Sequence, residues 1–272
     1  MQYSTEWALV SRSFRSVTVC LTHASLPSMV APLPLEPSPF IIVQMGETLR
    51  FRAIASDYDG TLARDGRVDR DTVAGLERAR ESGRKLILVT GRELPSLRNV
   101  FSHLHLFDWI VAENGALLHH PETGEERLLC PAPSAELVAN LRKQGVPLSV
   151  GRCIVATVRP PHDVAVLLAI EQLNLSLQVI FNKESVMILP RGINKTTGLS
   201  AVLSDLGLSS QSVVGIGDAE NDHEFLSFCG CSVAVANALP ALKRGADLVT
   251  GGSYGAGVIE VINRLIDSDR LC

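Results

Sequence analysis

The hydrophobic pattern of the chain changes its rhythm twice. From residue 50, short apolar runs alternate with amphipathic stretches. RFRAIAS (50–56) reads as a short buried strand. DRDTVAGLERARESG (69–83) places Val73, Leu76 and Ala79 on one helical face, with Gly83 as the stop. KLILVT (85–90) predicts a second strand, ELPSLRNVFSHL (93–104) a second helix and DWIVAEN (108–114) a third strand. Apolar runs without alternation suit strands buried on both faces. Their alternation with helices predicts a parallel sheet.

The pattern then loosens. GALLHHPETGEERLLC (115–130) reads as a hairpin turning at Pro121–Gly124. PSAELVANLRKQG (133–145) is a helix with Ser134 as N-cap. RCIVATV is a strand, PHDVAVLLAIEQLN a helix, and LSLQVIFNKESVMILP a second hairpin. Hairpins mixed with helices predict a small antiparallel α+β module. From Asn194 the first rhythm returns and continues to GAGVIEVINRLIDS (255–268). The expected organisation is α/β: a doubly wound, Rossmann-like parallel sheet over 49–116 and 192–272, interrupted by an inserted module over 117–191. Residues 1–48 are Pro- and Ser-rich and read as a disordered N-terminal extension. A targeting segment and a start at Met45 are the other readings.

Composition narrows the function. The 272 residues are 46% hydrophobic and 20% charged, as in globular proteins. A net charge of −4 and 5% aromatics argue against nucleic-acid binding. No run reaches the ~18 apolar residues of a membrane span. The six cysteines include no CxxC pair, so reduced thiols and a cytoplasmic location are expected. His103/His105 and His119/His120 lack the partners of a zinc site. Nothing in the pattern specifies an oligomeric state.

In an open parallel sheet, ligands bind beyond the carboxyl ends of the strands. Asp57 and Asp59 follow the first strand, and Thr90, Gly91 and Arg92 the second. Glu113 and Asn114 follow the third. Asp218, Asn221 and Asp222 follow the strand at 212–216, and Lys195 opens the returning helix. So many carboxylates repel one another unless a cation offsets them. A hard, oxygen-liganded Mg²⁺ is the economical choice, and it favours a few carboxylates together with a substrate phosphate.

DYDGT (57–61), TGR (90–92), Lys195 in GINKTTGL, and GDAEND (217–222) resemble the four motifs of the haloacid-dehalogenase (HAD) superfamily, in the same order. The short first-to-second interval and the long second-to-third interval resemble the Cof-like subfamily, which carries a type IIB α+β cap. Its members include phosphoglycolate, sucrose-phosphate and mannosyl-3-phosphoglycerate phosphatases. The resemblance implies that Asp57 is a nucleophile forming an aspartyl-phosphate and Asp59 a general acid and base. It implies Mg²⁺ held by Asp57, the backbone carbonyl of Asp59, Asp218 and Asp222. Thr90, Gly91 and Lys195 would bind phosphate, with Arg92, Asn114 and Asn221 in support. Tyr58 departs from the Phe, Leu or Met common between the two aspartates, with its side chain expected to turn away from the site.

The expected activity is Mg²⁺-dependent hydrolysis of a small phosphorylated metabolite, of sugar-phosphate or phosphoglycolate type. Phosphotransfer within the same superfamily, and a non-catalytic sensing module of a larger protein, are the alternatives. Arg152, Asn182, Lys183 and Glu184 are candidate rim residues that the sequence does not rank.

Overall fold

Ala53–Ser56 (β1) is buried along its whole length, as its uninterrupted apolar run requires. The structure, a computed structural model, describes residues 49–272. The expectations for residues 1–48 and for Met45 lie outside them. Asp69 caps Arg70–Glu81 (α1) by accepting the N–H of Thr72 at 2.7 Å. Lys85–Val89 (β2), Leu94–Val100 (α2) and Trp109–Ala112 (β3) follow. Leu117–His119 (β4) and Glu126–Leu128 (β5) form the first hairpin.

The inserted segment contains Ala135–Lys143 (α3), Ser149–Val150 (β6), Val155–Val158 (β7), Asp163–Gln172 (α4), Leu177–Asn182 (β8) and Ser185–Pro190 (β9). The chain then re-enters through Lys195–Leu206 (α5) and Val213–Gly217 (β10). His223–Phe228 (α6), Cys231–Ala234 (β11), Pro240–Gly245 (α7), Leu248–Val249 (β12) and Gly255–Ser268 (α8) complete it.

The eight-stranded sheet has the order β12-β11-β10-β1-β2-β3-β4-β5. Its pairs from β12 to β3 are parallel, and β4 and β5 run antiparallel. Strand order reverses between β1 and β10, which opens a crevice at their carboxyl ends. Helices α1 and α8 pack on each other, while α5 packs on α6 and β3. Fully buried residues such as Ile54, Leu88, Val111 and Val214 form the core, at roughly 1.5–3 kcal/mol per large side chain.

One expected boundary is corrected. The hairpin at 117–128, read from the sequence as part of the module, extends the large sheet through antiparallel pairing of β4 with β3. Only the tight turn Glu113–Ala116 separates the two strands, so β4 folds straight back on β3, and Leu117 and Leu118 are buried in the core. We therefore draw the module's start after Leu128. Its antiparallel sheet has the order β6-β7-β9-β8 and, with α3 and α4, its own apolar cluster around Leu141, Val155, Val166 and Ile188.

The cysteines also depart from expectation. Cys231 and Cys272 are joined as a disulfide, with Cα atoms 6.1 Å apart. The tail is brought back along the core because Arg84 and the backbone N–H of Arg50 both bind Asp269. A pairing 41 residues apart leaves no local spacing to read. Cys130, Cys153 and Cys229 are free.

Candidate active site

Asp57 stands at the end of β1, at the reversal of strand order. Its carboxylate is buried and accepts from Lys195 Nζ at 2.5 Å. Lys195 is the first residue of α5, where a cation is disfavoured by the helix dipole. Asn194 and Thr197 form a capping box that fixes this helix start. Gly115 lets it approach, since an added Cβ there would overlap the carbonyl oxygen of Asn194. Lys195 Nζ also lies 2.6 Å from Asp222 Oδ1, with 1% of its side chain exposed.

The other oxygen of Asp222 accepts the N–H groups of Asp218 (2.8 Å) and Ala219 (3.0 Å). Asp222 therefore shapes the loop that presents Asp218. Asp218 receives the Thr61 hydroxyl at 3.2 Å and Lys183 Nζ at 2.7 Å. Gly60 is required beside it: its φ is +92°, and an added Cβ would overlap Asp218 Oδ2.

Burial pushes the Asp57 carboxyl well above the ordinary range, against the pull of Lys195. Burial raises Asp218 too, against the hydrogen bond from Lys183. Burial disfavours the Lys195 ammonium, but Asp222 and Asp57 outweigh it and hold the group above its usual value.

Asp59 turns elsewhere. Its side chain is 41% exposed, and Arg92 grips both oxygens, Nε at 2.6 Å and Nη2 at 2.7 Å. Its expected metal contact was through the backbone carbonyl, and its carboxylate is not part of the buried acid cluster. Thr90 is buried, and its hydroxyl oxygen accepts the Arg92 N–H at 3.1 Å, leaving its own proton to donate. Asn221 Nδ2 donates to Asn114 Oδ1 at 3.0 Å, tying the loops after β10 and β3 together. Gly91, Arg92, Asp57 and Asp59 line a cavity of about 340 Å³, closed on the module side by Ser149, Asn182 and Met187 among others.

Two residues named from the sequence make contacts that the sequence does not assign. Glu113 is fully buried and accepts the N–H groups of Arg152, Cys153 and Ile154 at 2.7–3.0 Å, fastening the module to the core. Lys183 stood among the unranked rim residues and reaches Asp218 across the crevice. A lysine in a hairpin turn carries no signal of such a contact.

A divalent cation fits this donor set. Oxygens of Asp57, Asp218 and Asp222 lie within 4.8 Å of one another, and all are hard ligands. The Lys183 ammonium sits against Asp218 as a stand-in cation.

The sequence matches the family model of haloacid dehalogenase-like hydrolases over residues 54–151 and 169–262. The chain belongs to this family. Among its relatives, a phosphoglycolate phosphatase of Methanothermobacter thermautotrophicus is 32% identical over 79% of this chain and 99% of its own length. One from Aeropyrum pernix is 31% identical over 80% and 95%. Among solved structures, a haloacid dehalogenase-like hydrolase from Bacteroides thetaiotaomicron covers 79% of the chain and 99% of its own, at TM-score 0.68 and 22% identity. A HAD subclass IIB sugar phosphatase covers 79% and 98%, at 0.64 and 20%, likewise a likeness of fold. The HAD-family resemblance read from the motifs and the α/β core read from the hydrophobic pattern are borne out. No described helix is long and apolar enough to cross a membrane.

Proposed function

We propose that this HAD-family hydrolase is a Mg²⁺-dependent phosphatase of a small phosphorylated metabolite, acting through an aspartyl-phosphate on Asp57. The observation that carries the reading is the buried Asp57–Lys195 pair at the floor of a cavity that also admits Asp59. At about 340 Å³ the cavity is near the lower end for ligand sites, which suits a small leaving group. The phosphoglycolate phosphatases among the relatives make phosphoglycolate the first substrate to try.

Asp57 Oδ attacks phosphorus, and the bond to the leaving oxygen breaks. Lys195 offsets the charge shared by Asp57 and the phosphoryl oxygens. The Thr90 hydroxyl and the N–H groups near Gly91 and Gly60 are donors for those oxygens. Mg²⁺, held by Asp57, the Asp59 carbonyl and Asp218 with Asp222 in support, would supply charge neutralisation and orientation. Asp59 gives its proton to the leaving alkoxide and then takes one from the water that opens the acyl phosphate. For the first of these steps the Arg92–Asp59 ion pair has to loosen.

The test is phosphate release from p-nitrophenyl phosphate and from phosphoglycolate, with and without EDTA. Turnover that stops with EDTA and in Asp57→Asn supports the reading. Turnover that survives in Asp57→Asn overturns it.

A further inference from the structure

Lys183 occupies a position that the proposed reaction does not use. It is one of two residues in the tight turn between Asn182 and Ser185, which face each other at the end of the β8–β9 pair. Its φ of +52° is the left-handed backbone that a two-residue hairpin turn uses. The turn is braced from the module side, because Arg159 Nε donates to the Lys183 carbonyl at 2.8 Å while its guanidinium stacks on Phe181. From the core side it meets two acids of one loop: Lys183 Nζ binds Asp218 Oδ2 at 2.7 Å, and the Lys183 N–H faces Glu220 Oε2 at 3.4 Å.

A buried carboxylate with only a hydroxyl partner would be costly, and among the described residues Asp218 has just the Thr61 hydroxyl besides Lys183 as a side-chain hydrogen-bond partner. Lys183 resolves that cost while 46% of its own side chain stays exposed, so it can leave cheaply. Asp57, Asp218 and Asp222 set against Lys195 leave two negative charges. A divalent cation cancels both, whereas Lys183 cancels one. With the divalent cation bound, the ammonium is a surplus like charge a few ångströms away.

We propose that Lys183 is a resident counterion of the cation site, displaced from Asp218 when a divalent cation binds, and that its displacement releases the β8–β9 turn from the core. The inference rests on the cation site of the proposed function. Asn182 and Ser185, on either side of the turn, line the cavity, so the exchange couples cation binding to freedom at the cavity's mouth.

The experiment uses the whole chain without substrate. Mg²⁺ binding is measured by calorimetry in wild type, Lys183→Met and Lys183→Arg, and amide hydrogen exchange at 182–185 is followed with and without Mg²⁺. Lys183→Met is expected to bind Mg²⁺ about three- to tenfold tighter, and Lys183→Arg to stay near wild type. Exchange at the turn should rise on adding Mg²⁺ to wild type and be fast in Lys183→Met throughout. Unchanged or weaker binding in Lys183→Met, or a turn whose exchange ignores Mg²⁺ in wild type, overturns the proposal. Absence of Mg²⁺ binding in all three proteins removes the cation site and the latch together. Absence of phosphatase activity with the exchange pattern intact removes only the function.

Discussion

Lys195 Nζ lies 2.5 Å from Asp57 Oδ1, and both groups are buried. The contact joins the end of the first strand of the core to the first residue of α5, the first helix after the insertion, so it is made only when both halves of the core come together. Removing the ammonium strands Asp57 and Asp222 as buried, unpaired acids. Lys195→Met is expected to lose about 3–5 kcal/mol of stability in urea denaturation. Phosphate release should fall by roughly a thousandfold or more. A variant of wild-type stability with ordinary turnover would show that the pair is dispensable.

Asp59 is tested by the leaving group. A nitrophenolate leaves without a proton, whereas the alkoxide of phosphoglycolate needs one. Asp59→Asn should therefore release about one equivalent of nitrophenolate in a burst and then stall, because the acyl phosphate lacks its base. With phosphoglycolate the same variant should show no burst. Rapid-quench measurement separates these outcomes, and steady turnover of both substrates would remove Asp59 from the proton transfers.

The large sheet and the places of Asp57, Thr90, Lys195 and Asp218 were legible because each follows from a local rule. Buried parallel strands are apolar throughout, and polar residues at their ends meet along one edge. What stayed hidden depends on contacts distant in sequence. Leu117 and Leu118 look the same in a module hairpin as in a core hairpin, and only the pairing of Val111 with Leu118 decides. Asp222 reads as one more acid, yet its bonds to the N–H groups of Asp218 and Ala219 make it the former of the loop. Arg92 reads as generic support, and its grip on both oxygens of Asp59 is a matter of side-chain geometry across two strands. The Cys231–Cys272 bridge needs the fold before the two ends can be seen to meet.

Glu113 fastens the module through three backbone N–H groups, and those of Cys153 and Ile154 are buried away from solvent. Glu113→Ala leaves the donors of Cys153 and Ile154 buried and unpaired. The expected loss is about 3 kcal/mol or more in urea denaturation. Loosening at 152–154 should also expose the buried Cys153 thiol, so its alkylation should quicken in the folded variant. Glu113→Gln retains an acceptor and should fall between wild type and Glu113→Ala. Alkylation unchanged in Glu113→Ala would show that the module is held by apolar contacts alone.

Tyr58, the residue between the two aspartates, turns away from the cavity and gives its hydroxyl to the Gly66 carbonyl at 3.0 Å. Burial pushes its phenol up to about 12, with Arg92 pulling the other way. In the unfolded chain the same phenol ionises near its ordinary value of about 10. Between those two values the unfolded state sheds the proton that the folded state keeps, so unfolding gains from rising pH. Stability contributed by Tyr58 is therefore full below pH ~10 and is lost as pH rises toward ~12. Ultraviolet titration of the folded protein should show a phenol ionising near pH 12, and that step should vanish in Tyr58→Phe. Tyr58→Phe should cost about 1 kcal/mol near neutrality through the lost hydrogen bond, and should flatten the alkaline fall in stability. An equally steep fall in Tyr58→Phe would assign the alkaline transition to another group.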